Sequence, residues 1–152
     1  MTAITQDGFL RVAKCGGADL RVLPGAQVTA HGKEPLPGVF CSVPPHLSKP
    51  DEDLPELSKM AVDIGFCREE AEKLVKPGDR VSFRQKPAEL LNGTITGKSL
   101  DNRAGAAALI YAAHILKTGE RPFGKVTILL SALEELGCQG AQTGAFSLDA
   151  DE

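Results

Sequence analysis

Up to about residue 91 the chain never goes far without a glycine or a proline, so only short elements can form there. β-favouring runs at residues 9–13, 20–23, 27–30, 39–43, 60–64 and 80–83 are each followed by Gly or Pro within a few positions. Many short strands with frequent turns predict a small barrel or sandwich. Pro24-Gly25 and Pro77-Gly78 each pair a fixed φ with a residue free to take positive φ, the requirement of a type II turn. The segment REEAEKLV, residues 68–75, is the one helix expected in this half. Residues 42–56, SVPPHLSKPDEDLPE, hold too much proline and acid for a strand or a helix interior and predict an exposed loop.

Past that point the pattern changes. Asn92-Gly93, set between Leu90-Leu91 and Thr94-Ile95-Thr96, is the strongest short-range hairpin signal in the chain and marks a domain boundary near residue 92. Residues 94–100 read as a strand, and 102–117, apolar on nearly all sides, as a buried helix. TGERPFG, residues 118–124, ends that helix. Residues 126–130, Val-Thr-Ile-Leu-Leu, read as a strand covered on both faces in a parallel sheet. The expected unit is βαβ, giving an α/β portion after a small β-barrel.

Composition excludes several classes. The 152 residues carry 17 Lys+Arg against 20 Asp+Glu, a net charge of −3, with 42% hydrophobic and 24% charged residues. That is an ordinary globular balance, and it lacks the basic footprint of a nucleic-acid or anionic-membrane binder. The longest largely apolar stretch, residues 104–116, falls short of the roughly 20 needed to span a bilayer. The first residues show no secretory pattern, so the expected location is cytoplasmic. Cys15, Cys41, Cys67 and Cys138 form no C-x-x-C pair and are expected to be reduced thiols.

Function enters through three acids. Ligands of open parallel sheets bind beyond the carboxyl ends of the strands, and there the expected βαβ unit delivers Asp101, Glu134 and Glu135. Small residues flank them: Gly97, Ala104 and Gly105 on one side, Gly137 and Gly140 on the other, which permits close approach of a ligand. The plainer reading of Asp101 is a helix N-cap, and of the Glu pair a solvated surface. His31, His46 and His114 lack metal-binding spacing, and His114 is expected to be a core residue. Gly97-Lys98-Ser99 lacks the upstream glycine of a phosphate loop.

GKSLDNRAG, residues 97–105, and EELGCQGA, residues 134–141, at this separation, resemble the M42 family of co-catalytic metallo-aminopeptidases, the tetrahedral (TET) aminopeptidases, some of whose members are labelled endoglucanases. The resemblance continues through GFLRVAKCGGADLRVLPG, GVFCSVPPHLS and VDIG…REEAEKLVKPGDRV, and so covers essentially the whole chain. It implies that Asp101 bridges two divalent metal ions, zinc or cobalt, that Glu134 is the general base, and that Glu135 ligates one metal. A cis peptide after the bridging Asp is a further expectation. It also implies that residues 1–92 are the family's β-barrel dimerisation domain and 93–152 part of its α/β catalytic domain, in an oligomer of dimers acting on peptides.

The family's His-x-Asp metal motif would lie upstream of QDGFL, and a further Asp and His downstream of FSLDADE. The 152 residues therefore look like an internal segment, inactive alone. Two other readings are a non-catalytic assembly module and a glycoside hydrolase. The latter needs one carboxyl kept protonated, whereas a carboxylate cluster around cations favours ionisation of every acid. Two further expectations are an exposed apolar patch on the barrel, as an unpaired dimer interface would leave, and an exposed, aggregation-prone sheet edge around residues 126–130.

Overall fold

The computed structural model describes residues 1–44, 56–119 and 125–148. The chain divides into two compact units, Met1–Lys86 and Pro87–Glu152. The division falls a few residues before position 92 because the hairpin expected there pairs within itself and belongs wholly to the second unit.

The first unit is a curled antiparallel sheet. Its strands are β1 (Ala3–Ile4), β2 (Leu10–Arg11), β3 (Gln27–His31), β4 (Pro35–Cys41), β5 (Ala61–Asp63) and β6 (Arg80–Phe83), in the order β1-β2-β5-β4-β3-β6. The terminal strands β1 and β6 do not pair as a ladder. Instead the backbone of Met1 bonds the turn before β6, accepting from Gly78 N at 2.9 Å and donating to Asp79 O at 2.6 Å. Gly25 (φ +81°) and Gly78 (φ +96°) take the positive φ that their Pro-Gly turns require.

Three sequence expectations change here. Residues 20–23 form no strand: Leu20–Val22 is a 3-10 turn, begun by the Asp19 carboxylate accepting the Arg21 N–H at 3.0 Å, a local bond that competes with a ladder. Strand β4 starts four residues earlier than expected despite Pro35 and Pro37. It pairs with β3 from Pro35 to Val39 but with β5 only from Val39 to Cys41, so both prolines sit where β4 has a single neighbour. The 9–13 run contributes only Leu10–Arg11 to a strand. Of the proline loop, residues 45–55, with His46, lie outside the described residues.

The core lies inside the curl, where Leu10, Val28, Met60 and Val62 are essentially inaccessible. Period-2 alternation puts Val28 and Ala30 of β3 inward, between the exposed Gln27 and His31 and the half-buried Thr29. Helix α1 (Arg68–Leu74) adds Ala71 and, just past its end, Val75. Its first turn is held by Glu70, whose carboxylate accepts the Cys67 N–H at 3.2 Å. The hairpin turn between β3 and β4 meets the end of α1 through Lys33 N donating to Leu74 O at 2.8 Å. Gly32 makes this approach possible: a Cβ there would stand 2.3 Å from Leu74 O. Large apolar side chains left exposed on this unit are few and separate in sequence: Val22, Val39, Val43, Phe66 and Phe83.

In the second unit, β7 (Ala88–Glu89) and β8 (Ile95–Thr96) pair antiparallel around Asn92-Gly93, both at positive φ, the expected tight hairpin. Helix α2 (Leu100–Thr118) and helix α3 (Gln139–Phe146) follow. The expected parallel βαβ sheet is absent from the described residues. Residues 94–100 contribute only two residues to a strand, and 126–130 belong to none. A strand exists only as one side of a ladder, and no described strand pairs with this run.

Nor is α2 buried. No described residue of the second unit is buried at all. Leu109, Ile110, Tyr111, Ile115 and Leu116 on α2 are exposed, as are Val126, Ile128, Leu129 and Leu130 in the run that follows. His114, expected in a core, lies on this unburied helix. The exposed apolar surface is thus found mainly here and not on the sheet unit. Among the described residues no helix is long and apolar enough to cross a membrane.

Candidate functional site

All three candidate acids lie in the second unit. Asp101 sits at the start of α2, before the helix becomes regular: Asp101 (ψ 111°) and Asn102 (ψ 45°) are both non-helical, and Ser99 precedes them at φ +60°. The Asp101–Asn102 peptide is cis, as expected from the family resemblance. Asp101 is exposed. It is not the helix cap: the bond closing the first turn runs from Gly105 N to Asn102 Oδ1, at 3.0 Å. Asn102 thus takes the capping role that the plainer reading of the sequence assigns to Asp101. The signal for it was present, an Asn three residues before a glycine at the head of an apolar helix.

Glu134 and Glu135 open a 3-10 turn, Glu134–Leu136. At three residues per turn, successive side chains there point about 120° apart, so the two acids face different directions. The turn is held by its backbone. Glu134 O accepts from Gly137 N at 2.9 Å and from Cys138 N at 3.0 Å, and Ala132 O accepts from Gly140 N at 3.1 Å. Leu133, Gly137 and Cys138 all take positive φ. A Cβ on Gly140 would stand 2.1 Å from Ala132 O, so the start of α3 can close onto the segment before the acids only with glycine there. The small flanks read from the sequence therefore serve local packing at Gly140 and capping at Gly105.

Asp101 and Glu135 offer carboxylate oxygens, donors suited to divalent cations. Yet no group of three or more His, Cys, Asp or Glu side chains able to hold a metal ion is assembled among the described residues. The three acids are therefore not gathered into a ligand cluster. Two metal ions sharing a site need several protein ligands each, and this donor set is incomplete for that task.

Away from these acids, the marked electrostatic feature is the Asp19–Arg21 pair, 2.5 Å apart. The Arg21 side chain, followed by its backbone N–H, holds the Asp19 carboxyl down to about 2. Burial, and then Asp63, pushes the Cys41 thiol up, so it stays protonated. All four cysteines are free. His31 Nε2 lies 2.8 Å from Ser82 Oγ across the β3–β6 ladder, an exposed pair.

Comparison with known proteins places these features in context. A protein of Acetivibrio thermocellus bearing an aminopeptidase name is 35% identical over 154 residues, covering 99% of this chain and 43% of the relative. The TET aminopeptidase of Thaumarchaeota archaeon SCGC AB-539-E09 superposes with a TM-score of 0.90 at 32% identity, over 99% of this chain and 44% of that one. The Pyrococcus horikoshii TET1 peptidase, which can assemble into a tetrahedron or a large octahedral shell, matches at TM-score 0.81 and 38% identity, over 95% of this chain and 44% of that one. The chain thus spans less than half the length of these relatives. The sequence profile of the M42 glutamyl aminopeptidases matches residues 1–152 from end to end, and the chain belongs to that family.

Proposed function

We propose that these residues are the segment of an M42 metallo-aminopeptidase that contributes its general base and two of its metal-binding acids. Glu134 is the group that takes a proton from the attacking water and passes it to the leaving amine. Asp101 and Glu135 would be the acids that hold the metal ions, Asp101 shared between two and Glu135 on one. Zinc or cobalt ions, when held by a complete ligand set, lower the pKa of a bound water and polarise the scissile carbonyl. This chain alone supplies too few ligands, so as an isolated polypeptide it is inactive. The observation that carries the reading is the family match over residues 1–152, which includes both acid-bearing segments.

The same reading makes Met1–Lys86 the dimerisation unit and Pro87–Glu152 part of the catalytic domain of a cytoplasmic homo-oligomer acting on peptide N-termini. The assemblies formed by the Pyrococcus horikoshii relative support the oligomer. A second reading, a non-catalytic assembly module, is favoured by one observation: every described buried hydrophobic lies between Leu10 and Val75, and the acid-bearing unit has none. The glycoside-hydrolase alternative draws no support from the family match.

The deciding experiment begins with the genomic frame around the segment. An in-frame His-x-Asp upstream and an Asp and His downstream are expected. In the complete product, Glu134→Gln is expected to lower kcat by about 10²–10⁴, the usual contribution of a general base, while metal content is retained. Absence of those codons, together with no peptidase activity, would leave the assembly module standing.

A further inference from the structure

We propose that Asn92 is a site of spontaneous deamidation, converted to aspartate and isoaspartate when the β7–β8 hairpin opens. The chain has two asparagines, and the structure treats them oppositely. Asn102 is followed by Arg103, and its Oδ1 is engaged by Gly105 N at 3.0 Å. Asn92 is exposed, and its side chain has no hydrogen-bond partner among the described residues. It is followed by Gly93, where an added Cβ would meet nothing within 4 Å. The backbone nitrogen after Asn92 is therefore unshielded both by its own residue and by its surroundings.

In the reaction the Gly93 nitrogen gives its proton to solvent and attacks Asn92 Cγ. The new N–Cγ bond closes a cyclic imide, the Cγ–Nδ2 bond breaks, and ammonia leaves. Water then opens the ring. Cleavage of the N–Cγ bond leaves aspartate. Cleavage between that nitrogen and the main-chain carbonyl carbon of residue 92 leaves isoaspartate, whose backbone runs through Cβ and is longer by one carbon.

The folded turn restrains the first step. Asn92 is held at φ 62°, ψ 32°, where its Cβ and the Gly93 nitrogen lie on nearly opposite sides of the Cα–C bond, so ring closure requires rotation about that bond. Such a rotation disrupts the turn, which is held by Leu90 N donating to Thr94 O at 2.7 Å and Thr94 Oγ1 donating to Leu91 O at 2.9 Å. The restraint is slight. Each strand of the hairpin has two residues, isolated hairpins are marginal, and no described residue of the second unit is buried. The isoaspartyl product lengthens the loop by one backbone carbon and so loses the register that pairs Glu89 with Ile95.

The experiment incubates the 152-residue chain at mildly alkaline pH and maps its peptides by mass spectrometry, with electron-transfer fragmentation to tell isoaspartate from aspartate. Conversion at Asn92 is expected to run at least about tenfold ahead of Asn102, whose side chain is engaged and whose following residue is shielded. Thr94→Ala removes one turn bond and leaves Asn92 and Gly93 in place. It is expected to speed conversion about two- to tenfold, the usual worth of one hydrogen bond. A free peptide of residues 86–98, with no fold to restrain it, is expected to react faster than the chain. In the separated isoaspartyl form, the Leu90 amide is expected to lose its exchange protection.

An Asn92 that stays intact in the chain while it converts in the peptide would overturn the site. Equal rates in the chain, the peptide and Thr94→Ala would overturn the control by hairpin opening. Undiminished protection of the Leu90 amide in the isoaspartyl form would overturn the loss of register.

Discussion

A carboxylate's neighbours decide what it does, and this chain shows the contrast in two aspartates. Asp19 is bound twice over by Arg21 and held down to about 2 from an ordinary value of 3.8. A depressed carboxyl stabilises the fold at pH values above its unfolded pKa, and that contribution is lost as pH falls from about 4 through 2. The pair is exposed, so the effect on stability is small. An NMR titration of the Asp19 carboxyl should give a midpoint near 2 that returns to the ordinary range in Arg21→Ala. Asp101 differs, since its neighbour Asn102 makes the helix bond in its place. The sequence announced that an acid stood at a helix start. Which of two adjacent polar residues would cap it depends on backbone angles at Asp101 and Asn102, and composition does not carry those.

Elements formed where local chemistry agreed with the pattern. The Asn92-Gly93 hairpin, both Pro-Gly turns and α1 were legible because each depends on residues within a few positions of one another. The 3-10 turn at Leu20–Val22 and the proline-bearing start of β4 were not, because a side-chain bond in one case and a missing neighbour in the other decided the outcome. Gly32 is where hairpin and helix meet, and its Cβ would strike backbone at Leu74 and the Val75 side chain. Gly32→Ala is expected to destabilise the first unit by about 1–3 kcal/mol, the usual cost of forcing atoms into a packed contact. Urea denaturation followed by circular dichroism would measure it. An unchanged midpoint would mean that the turn and α1 can separate freely.

For the molecule as a whole, the division of burial is the main finding. The buried apolar residues belong to the curled sheet and α1, while the unit bearing the candidate acids has none among its described residues. The sequence showed an apolar helix and an apolar run at 126–130, and both are present, but burial requires partners that the described residues do not provide. The expected parallel sheet is absent from the described residues for that same reason. Two outcomes follow. Val62→Ala, at the fully buried centre of the sheet, should cost the first unit about 1–3 kcal/mol, seen as a lower urea midpoint, without altering helical signal from α2. Limited proteolysis of the chain should cut within residues 87–152 before it cuts the sheet and α1 of the first unit; protection of the second unit would contradict this division of stability.

The measurement that bears most directly on the functional reading is hydrolysis of amino-acid p-nitroanilides by the purified 152-residue chain, with added zinc or cobalt and with chelator. The expected result is no turnover above the metal-only blank and no difference between the unaltered chain and Glu134→Gln. Hydrolysis that chelator abolishes and Glu134→Gln removes would contradict it, showing that this segment builds a working metal site from its own residues.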